Sequence, residues 1–129
     1  MKLVQIAQKA VDLDRAAEFY SKLLGQKPSG RFDPPGLLFF DLEGTRLLLG
    51  TGAPSATLYL NVQDLKSLIE HLRVEGVPIE GEPHVIFEHS DDSLGPKGTQ
   101  EWQAFIRDSE GKLIALVEHV LSVPLPGSE

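Results

Sequence analysis

The chain has 129 residues, 41% hydrophobic and 24% charged, a balance that fits one globular domain with an ordinary core and excludes disordered and fibrous classes. A formal net charge of -7, from 19 acidic against 12 basic residues, comes with no basic stripe, so nucleic acid is an unsuitable partner and a small molecule a suitable one. Cysteine is absent, which rules out disulfides, thiolate nucleophiles and zinc thiolate sites.

No apolar run approaches the roughly 20 residues a membrane span needs, and Met1-Lys2-Leu3-Val4-Gln5 turns polar too soon for a secretory signal. A cytoplasmic protein without membrane contact is therefore expected. Leu3 to about Lys9 reads as a first strand, and Asp12 as the N-cap of a helix running to about Leu24. Within it Leu13, Ala16, Tyr20, Leu23 and Leu24 recur at helical spacing, and Gly25 suits the left-handed residue that ends it. Asp33-Pro34-Pro35-Gly36 is a turn flanked by strands, because two prolines remove two amide donors. Leu38 to Leu49 then reads as two strands around Glu43-Gly44, and Thr51-Gly52-Ala53-Pro54-Ser55 is a breaker-rich join.

After the join the pattern repeats. Val62-Gln63-Asp64-Leu65 opens a second helix with a stripe of Leu65, Leu68, Ile69 and Leu72, ending near Glu75-Gly76. Ala104 to Val117 is again strand, charged turn, strand, with the turn at Asp108-Ser109-Glu110-Gly111. Between His89 and Glu101 lies a loop with no apolar period, of a length that is often functional. Self-similarity at this period makes each copy one supersecondary unit. The reading is a single domain over 1–129, with module 1 at about 1–51, module 2 at about 56–120 and a Pro-punctuated tail at 121–129. Its fold class is α+β, two βαβββ modules forming a curved mixed sheet with a central cleft and helices outside.

The telling pieces are Val11-Asp12-Leu13 with Phe19-Tyr20 and Leu24-Gly25, and the run Phe105 to Leu116 around Asp108-Ser109-Glu110-Gly111. From Leu3 to His119 the chain resembles the vicinal oxygen chelate superfamily of glyoxalases, extradiol dioxygenases, epimerases and bleomycin-resistance proteins. The resemblance implies a metal held by the first, fourth, fifth and last strands, at positions corresponding to Gln5, Leu48, Thr57 and Ala115. Leu48 and Ala115 have no lone pair to offer an ion, so no metal and no other cofactor is expected there.

Strand alternation places Gln5, Arg46, Leu48, Thr57, Tyr59, Asn61 and Ala115 on the concave face, an apolar cup with a few hydrogen-bonding groups. Trp102 joins them if Phe105 packs toward the helices, where its indole could stack on a planar ligand; the competing place is a rim or dimer interface. Such a lining suits a small, semi-polar or aromatic organic ligand, against the alternative that the cup is filled by its own side chains. A metal-independent binding protein, similar to the bleomycin-resistance branch, is the favoured function. The alternative is a lyase, isomerase or epimerase using a non-standard metal site, or His84, His89 and Glu88 as acid and base, because imidazole titrates near neutral pH. Whether the protein is an enzyme stays open at this point. Histidine 71 reads as a solvated helix residue, and His119 with Glu118 as a surface strand end. Strand edges at both module ends point to a homodimer.

Overall fold

The computed structural model describes residues 5–122, so Leu3-Val4 of the expected first strand and residues 123–129 of the expected tail lie outside it. The chain divides into two compact units, one holding the described residues up to Thr57 together with Asp108–Lys112, the other Leu58–Arg107 and the described residues from Leu113 on.

In the first unit the order is β1 (Gln5–Lys9), α1 (Leu13–Leu24), β2 (Gly30–Phe32), β3 (Leu37–Leu42) and β4 (Thr45–Gly50). The strands form one sheet in the order β1-β4-β3-β2, with β1 parallel to β4 and the rest antiparallel. The second unit repeats this with β5 (Leu58–Asn61), α2 (Leu65–Val74), β6 (Ile79–His89), β7 (Thr99–Arg107) and β8 (Leu113–Leu121) in the order β5-β8-β7-β6, β5 being parallel to β8. Two βαβββ modules of an α+β fold, as the repeat implies, are borne out, each with its own four-stranded mixed sheet.

One face of each sheet is sealed by its helix. In the first unit Leu38, Phe40, Leu47 and Leu49 alternate onto one face and are almost fully buried, as are Ala16 and Tyr20 of α1. Burying such a side chain contributes about 1.5–3 kcal/mol. In the second, Ala104, Ile106, Ile114 and Leu116 are equally buried, with Leu65, Ile69 and Leu72 on α2. The opposite faces carry Gln5, Phe39, Arg46 and Leu48 in one sheet and Tyr59, Glu101, Gln103, Ala115 and His119 in the other.

Both helices start at a pair of carboxylates. Asp12 caps α1 by accepting from the Arg15 amide at 3.1 Å, and Glu110 accepts from the amides of Val11 at 2.8 Å and Asp12 at 2.6 Å. Asp64 caps α2 from a left-handed backbone, φ 50°, accepting from the Ser67 amide at 3.3 Å. There Glu118 accepts from the amides of Asp64 at 3.0 Å and Leu65 at 2.9 Å. Six amides, three at each helix start, thus meet carboxylate acceptors, placed where the helix dipole favours negative charge. Glu118 is therefore a helix-capping group, not the surface strand end read from the sequence.

Two more polar contacts fix the first unit. Tyr20 donates its hydroxyl to Asp108 at 2.8 Å in a buried contact, and the other Asp108 oxygen accepts from the amides of Glu110 and Lys112, each at 2.8 Å. Gln8, fully buried, accepts from the Ala56 amide at 2.8 Å and donates to the Ala56 carbonyl at 2.6 Å, completing both backbone groups of one residue in the join.

Burial, the charge of Asp108, the hydrogen bond to it and the charge of Glu110 together push the Tyr20 phenol far above its ordinary range. Because the folded-state pKa is raised, this tyrosine's stabilising effect is complete below about pH 10 and is lost as pH rises above it. Of the two tyrosines, Tyr20 should ionise only as the chain unfolds in alkali, which absorbance at 295 nm against circular dichroism reads directly. Tyr20→Phe should cost about 1–3 kcal/mol in denaturant unfolding, because the buried Asp108 carboxylate loses a donor. Glu118→Ala should cost roughly 1–2 kcal/mol, like other lost helix caps.

Candidate functional site

On the open face of the first sheet, Gln5 and Arg46 are Cα partners on the parallel pair β1 and β4, so their side chains emerge together. Arg46 Nε donates to Gln5 Oε1 at 2.9 Å, which orients the guanidinium. On the antiparallel side Phe39 pairs with Leu48 and Gly30 with Phe39, bringing β2 into the same row. Phe32 and Phe39 meet edge to face with centroids 6.0 Å apart, and Phe32 remains 56% exposed, far more than a core aromatic. Together with Ser29 and Gly30, these four side chains line an open cavity of about 330 Å³. The spacing of Gln5 and Arg46 was readable from alternation alone. Ser29 and Phe32 were not, because they enter with β2, whose short length gives no periodic signal, and Phe39 was not, because apolar residues on both faces of β3 hide its alternation.

Leu48 lies between Ala7 and Phe39 on the same face but does not line the cavity, and Thr57 is an exposed residue just before β5. In the second unit Tyr59 and Asn61 of β5 pair with Ala115 and Val117 of β8; Tyr59 is 61% exposed and Ala115 fully buried. Of the four positions that the resemblance assigns to an ion, two carry no donor atom. Leu48 and Ala115 carry only alkyl groups, and the Gln5 amide oxygen already accepts from a guanidinium, whose positive charge opposes a cation at that atom.

Trp102 is placed otherwise than the sequence suggested. It pairs with Glu118, whose carboxylate faces the start of α2, and Lys66 of α2 sets its ammonium 4.7 Å from the indole centroid. Trp102, Ala104 and Ile106 thus belong to the helix-covered face. Phe105 is the residue that points the other way, its ring 3.3 Å from where a Cβ on Gly81 would stand. The alternation read from Phe105 is reversed because the buried pair Ile106 and Ile114 fixes the register.

His84, His89 and Glu88 do not assemble. Exposed His84 contacts the Glu82 carbonyl through Nδ1 at 2.8 Å, and Glu88 accepts from its ladder partner Gln100 at 3.0 Å. A register shift between Val85 and Phe87 decides which side chains face which way. Beyond it Phe87 pairs with Glu101 and His89 with Thr99, so Phe87 and His89 share a face with Glu101 while Glu88 turns away. Glu101 is also the direct partner of His119 on β8.

The outcome is a compact grouping. His89 Nε2 stands 2.9 Å from Glu101 Oε1 and His119 Nε2 3.3 Å from the same oxygen, with the imidazole centroids 5.3 Å apart. Gln103 donates to the other Glu101 oxygen at 2.8 Å. The His89 side chain is 2% exposed, and its Nδ1 has no hydrogen-bond partner among the described residues. Burial alone would raise the Glu101 carboxyl, but hydrogen bonds from Gln103 and His89 and the neighbouring His119 outweigh it and hold the group below its ordinary range. Three strands each contribute one side chain, at sequence separations that form no linear motif. Only the ladder register brings them together.

The described residues include no helix long and apolar enough to cross a membrane. The glyoxalase/bleomycin resistance protein/dioxygenase superfamily model matches residues 2–116. No curated protein sequence matches. Among solved structures, an integron cassette protein from the mobile metagenome of V. cholerae is similar at TM-score 0.69 and 20% identity, covering 92% of this chain and 94% of that one. A lactoylglutathione lyase from Agrobacterium tumefaciens is similar at 0.68 and 20% identity, with 91% and 92% covered. A superfamily member from Sphaerobacter thermophilus is similar at 0.68 and 20% identity, with 92% and 97% covered. At these identities the structures speak for the fold, and the match over 2–116 carries the assignment: the chain belongs to the glyoxalase/bleomycin resistance protein/dioxygenase superfamily.

Proposed function

We propose that this protein binds a small, ring-bearing, semi-polar organic molecule in the cavity of its first unit, with no metal at the positions its relatives use. The observation that carries this reading is an exposed aromatic ring beside an oriented guanidinium at one opening, Phe32 on Phe39 and Arg46 on Gln5. Phe32 offers a face or edge for stacking, and Arg46 offers its outer donors to a carboxylate, sulfonate or carbonyl on the ligand. A volume of about 330 Å³ falls at the small end of organic-ligand sites, which favours a single-ring or fused two-ring compound. The donor chemistry at Gln5, Leu48 and Ala115 supports recognition without an ion. A second copy of the chain is the proposed assembly partner, since β1, β2, β5 and β6 each end a sheet.

An acid-base enzyme, a lyase, isomerase or epimerase, is the second reading. It is favoured by the carboxylate of Glu101 orienting the His89 imidazole, with Glu101 in the place the sequence gave to Glu88.

Anilinonaphthalene sulfonate, an aromatic anion, tests the first reading by fluorescence titration of the purified chain. Phe32→Ala and Arg46→Met should each weaken its binding by about tenfold, equivalent to roughly 1.4 kcal/mol. Binding unaffected by both substitutions would sink the proposal. Sedimentation equilibrium should find twice the chain mass; a monomer at tens of micromolar would remove the assembly from it.

A further inference from the structure

We infer that His89, Glu101 and His119 form a binding site for one divalent cation of borderline softness, of which zinc is the type. This site lies on the second sheet, uses none of the family's ligand positions, and does not depend on the cavity of the first unit for its argument.

Donor chemistry comes first. Two imidazole nitrogens and one carboxylate oxygen are a set that suits zinc and its neighbours and leaves a coordination position for water or a further ligand. Tetrahedral ligands at about 2.0–2.1 Å from an ion lie roughly 3.3 Å from one another. Glu101 Oε1 is 2.9 Å from His89 Nε2 and 3.3 Å from His119 Nε2, two separations close to that spacing. Among the described residues this is the one group of three histidine or carboxylate side chains whose ligand atoms all lie within 4.8 Å of one another.

Space and support come next. Gly95, in the loop after β6, carries no side chain where one would stand 2.7 Å from His89 Cε1, 2.9 Å from His89 Nε2 and 3.1 Å from His119 Nε2. Its backbone is outside the left-handed region, so conformation does not demand glycine here and the room beside the two nitrogens is what it preserves. Gln103 holds the far oxygen of Glu101 at 2.8 Å, the kind of outer contact that steers a ligating carboxylate. The Gly98 amide donates to the His89 carbonyl at 2.8 Å and the Ser122 amide to the Gly98 carbonyl at 2.9 Å, fastening the loop across the ends of β6 and β8. In the ion-free protein the two imidazoles share the Glu101 oxygen through hydrogen bonds. On binding, the ion takes the place between each Nε2 and the carboxylate oxygen, and each neutral imidazole carries its one proton on Nδ1 instead.

The test is titration of the full chelator-stripped chain with cobalt(II), read by visible absorption, and with zinc, read by calorimetry. Wild-type protein should bind one ion per chain. Glu101→Gln and His119→Asn, both near-isosteric, should weaken binding at least tenfold, and Gly95→Ala should do the same by filling the space. Exposed His71 lies on α2, and His71→Ala should leave the affinity unchanged. Thermal unfolding with and without zinc gives a second readout, a rise in Tm for wild type that Glu101→Gln removes. Absence of saturable binding, binding that survives Glu101→Gln and His119→Asn, or binding lost with His71 would each overturn the site. Failure here leaves the aromatic-anion result for Phe32 and Arg46 untouched, so the two proposals fall separately.

Discussion

The structure is organised by what happens at two helix starts. A helix leaves its first amides without partners, and here each start is met by two carboxylates, one from the residue before the helix and one from a strand or turn far along the chain. Charge-assisted acceptors of this kind are directional and strong, so they fix the angle at which the chain enters the helix as well as its stability. Once α1 and α2 are set, their apolar stripes select which face of each sheet is covered. The opposite face is left with the polar and aromatic side chains that carry the proposed chemistry.

Much of this was legible in the sequence. Asp12 and Gly25 announced both ends of α1, the second Asp-Leu announced α2, and alternation put Gln5 and Arg46 on one face, where the ladder makes them neighbours. Trp102 was not legible in the same way. Along β7 either parity offers plausible apolar residues, and the matter is settled only by which of them pairs with Ile114. The His89 neighbourhood hid for a different reason. One register shift in β6 inverts the parity of everything after it, and nothing in Val85-Ile86-Phe87-Glu88 marks where the extra residue falls. Glu118 looked like an available carboxylate because sequence shows its charge but not the two amides that occupy it.

The two proposed sites illustrate how this superfamily's fold separates frame from chemistry. The positions that the resemblance assigns to a metal carry here a leucine, a threonine, an alanine and a glutamine engaged by arginine, in a chain that keeps the family's fold. Donor-rich side chains are instead gathered further along β8, four residues beyond Ala115, beside a loop that has no counterpart in the first module. An aromatic and a guanidinium stand over the first sheet. The same scaffold thus presents an aromatic and a guanidinium on one sheet and a nitrogen and oxygen cluster on the other.

The contact between Gln8 and Ala56 places an unusual evolutionary constraint on the join between modules. Because the glutamine grips the main chain rather than a side chain, any residue but proline satisfies it at position 56. What selection must conserve is the count of residues from β4 to the clamped peptide and the amide at position 8, so families of such chains would show variable letters there at fixed length.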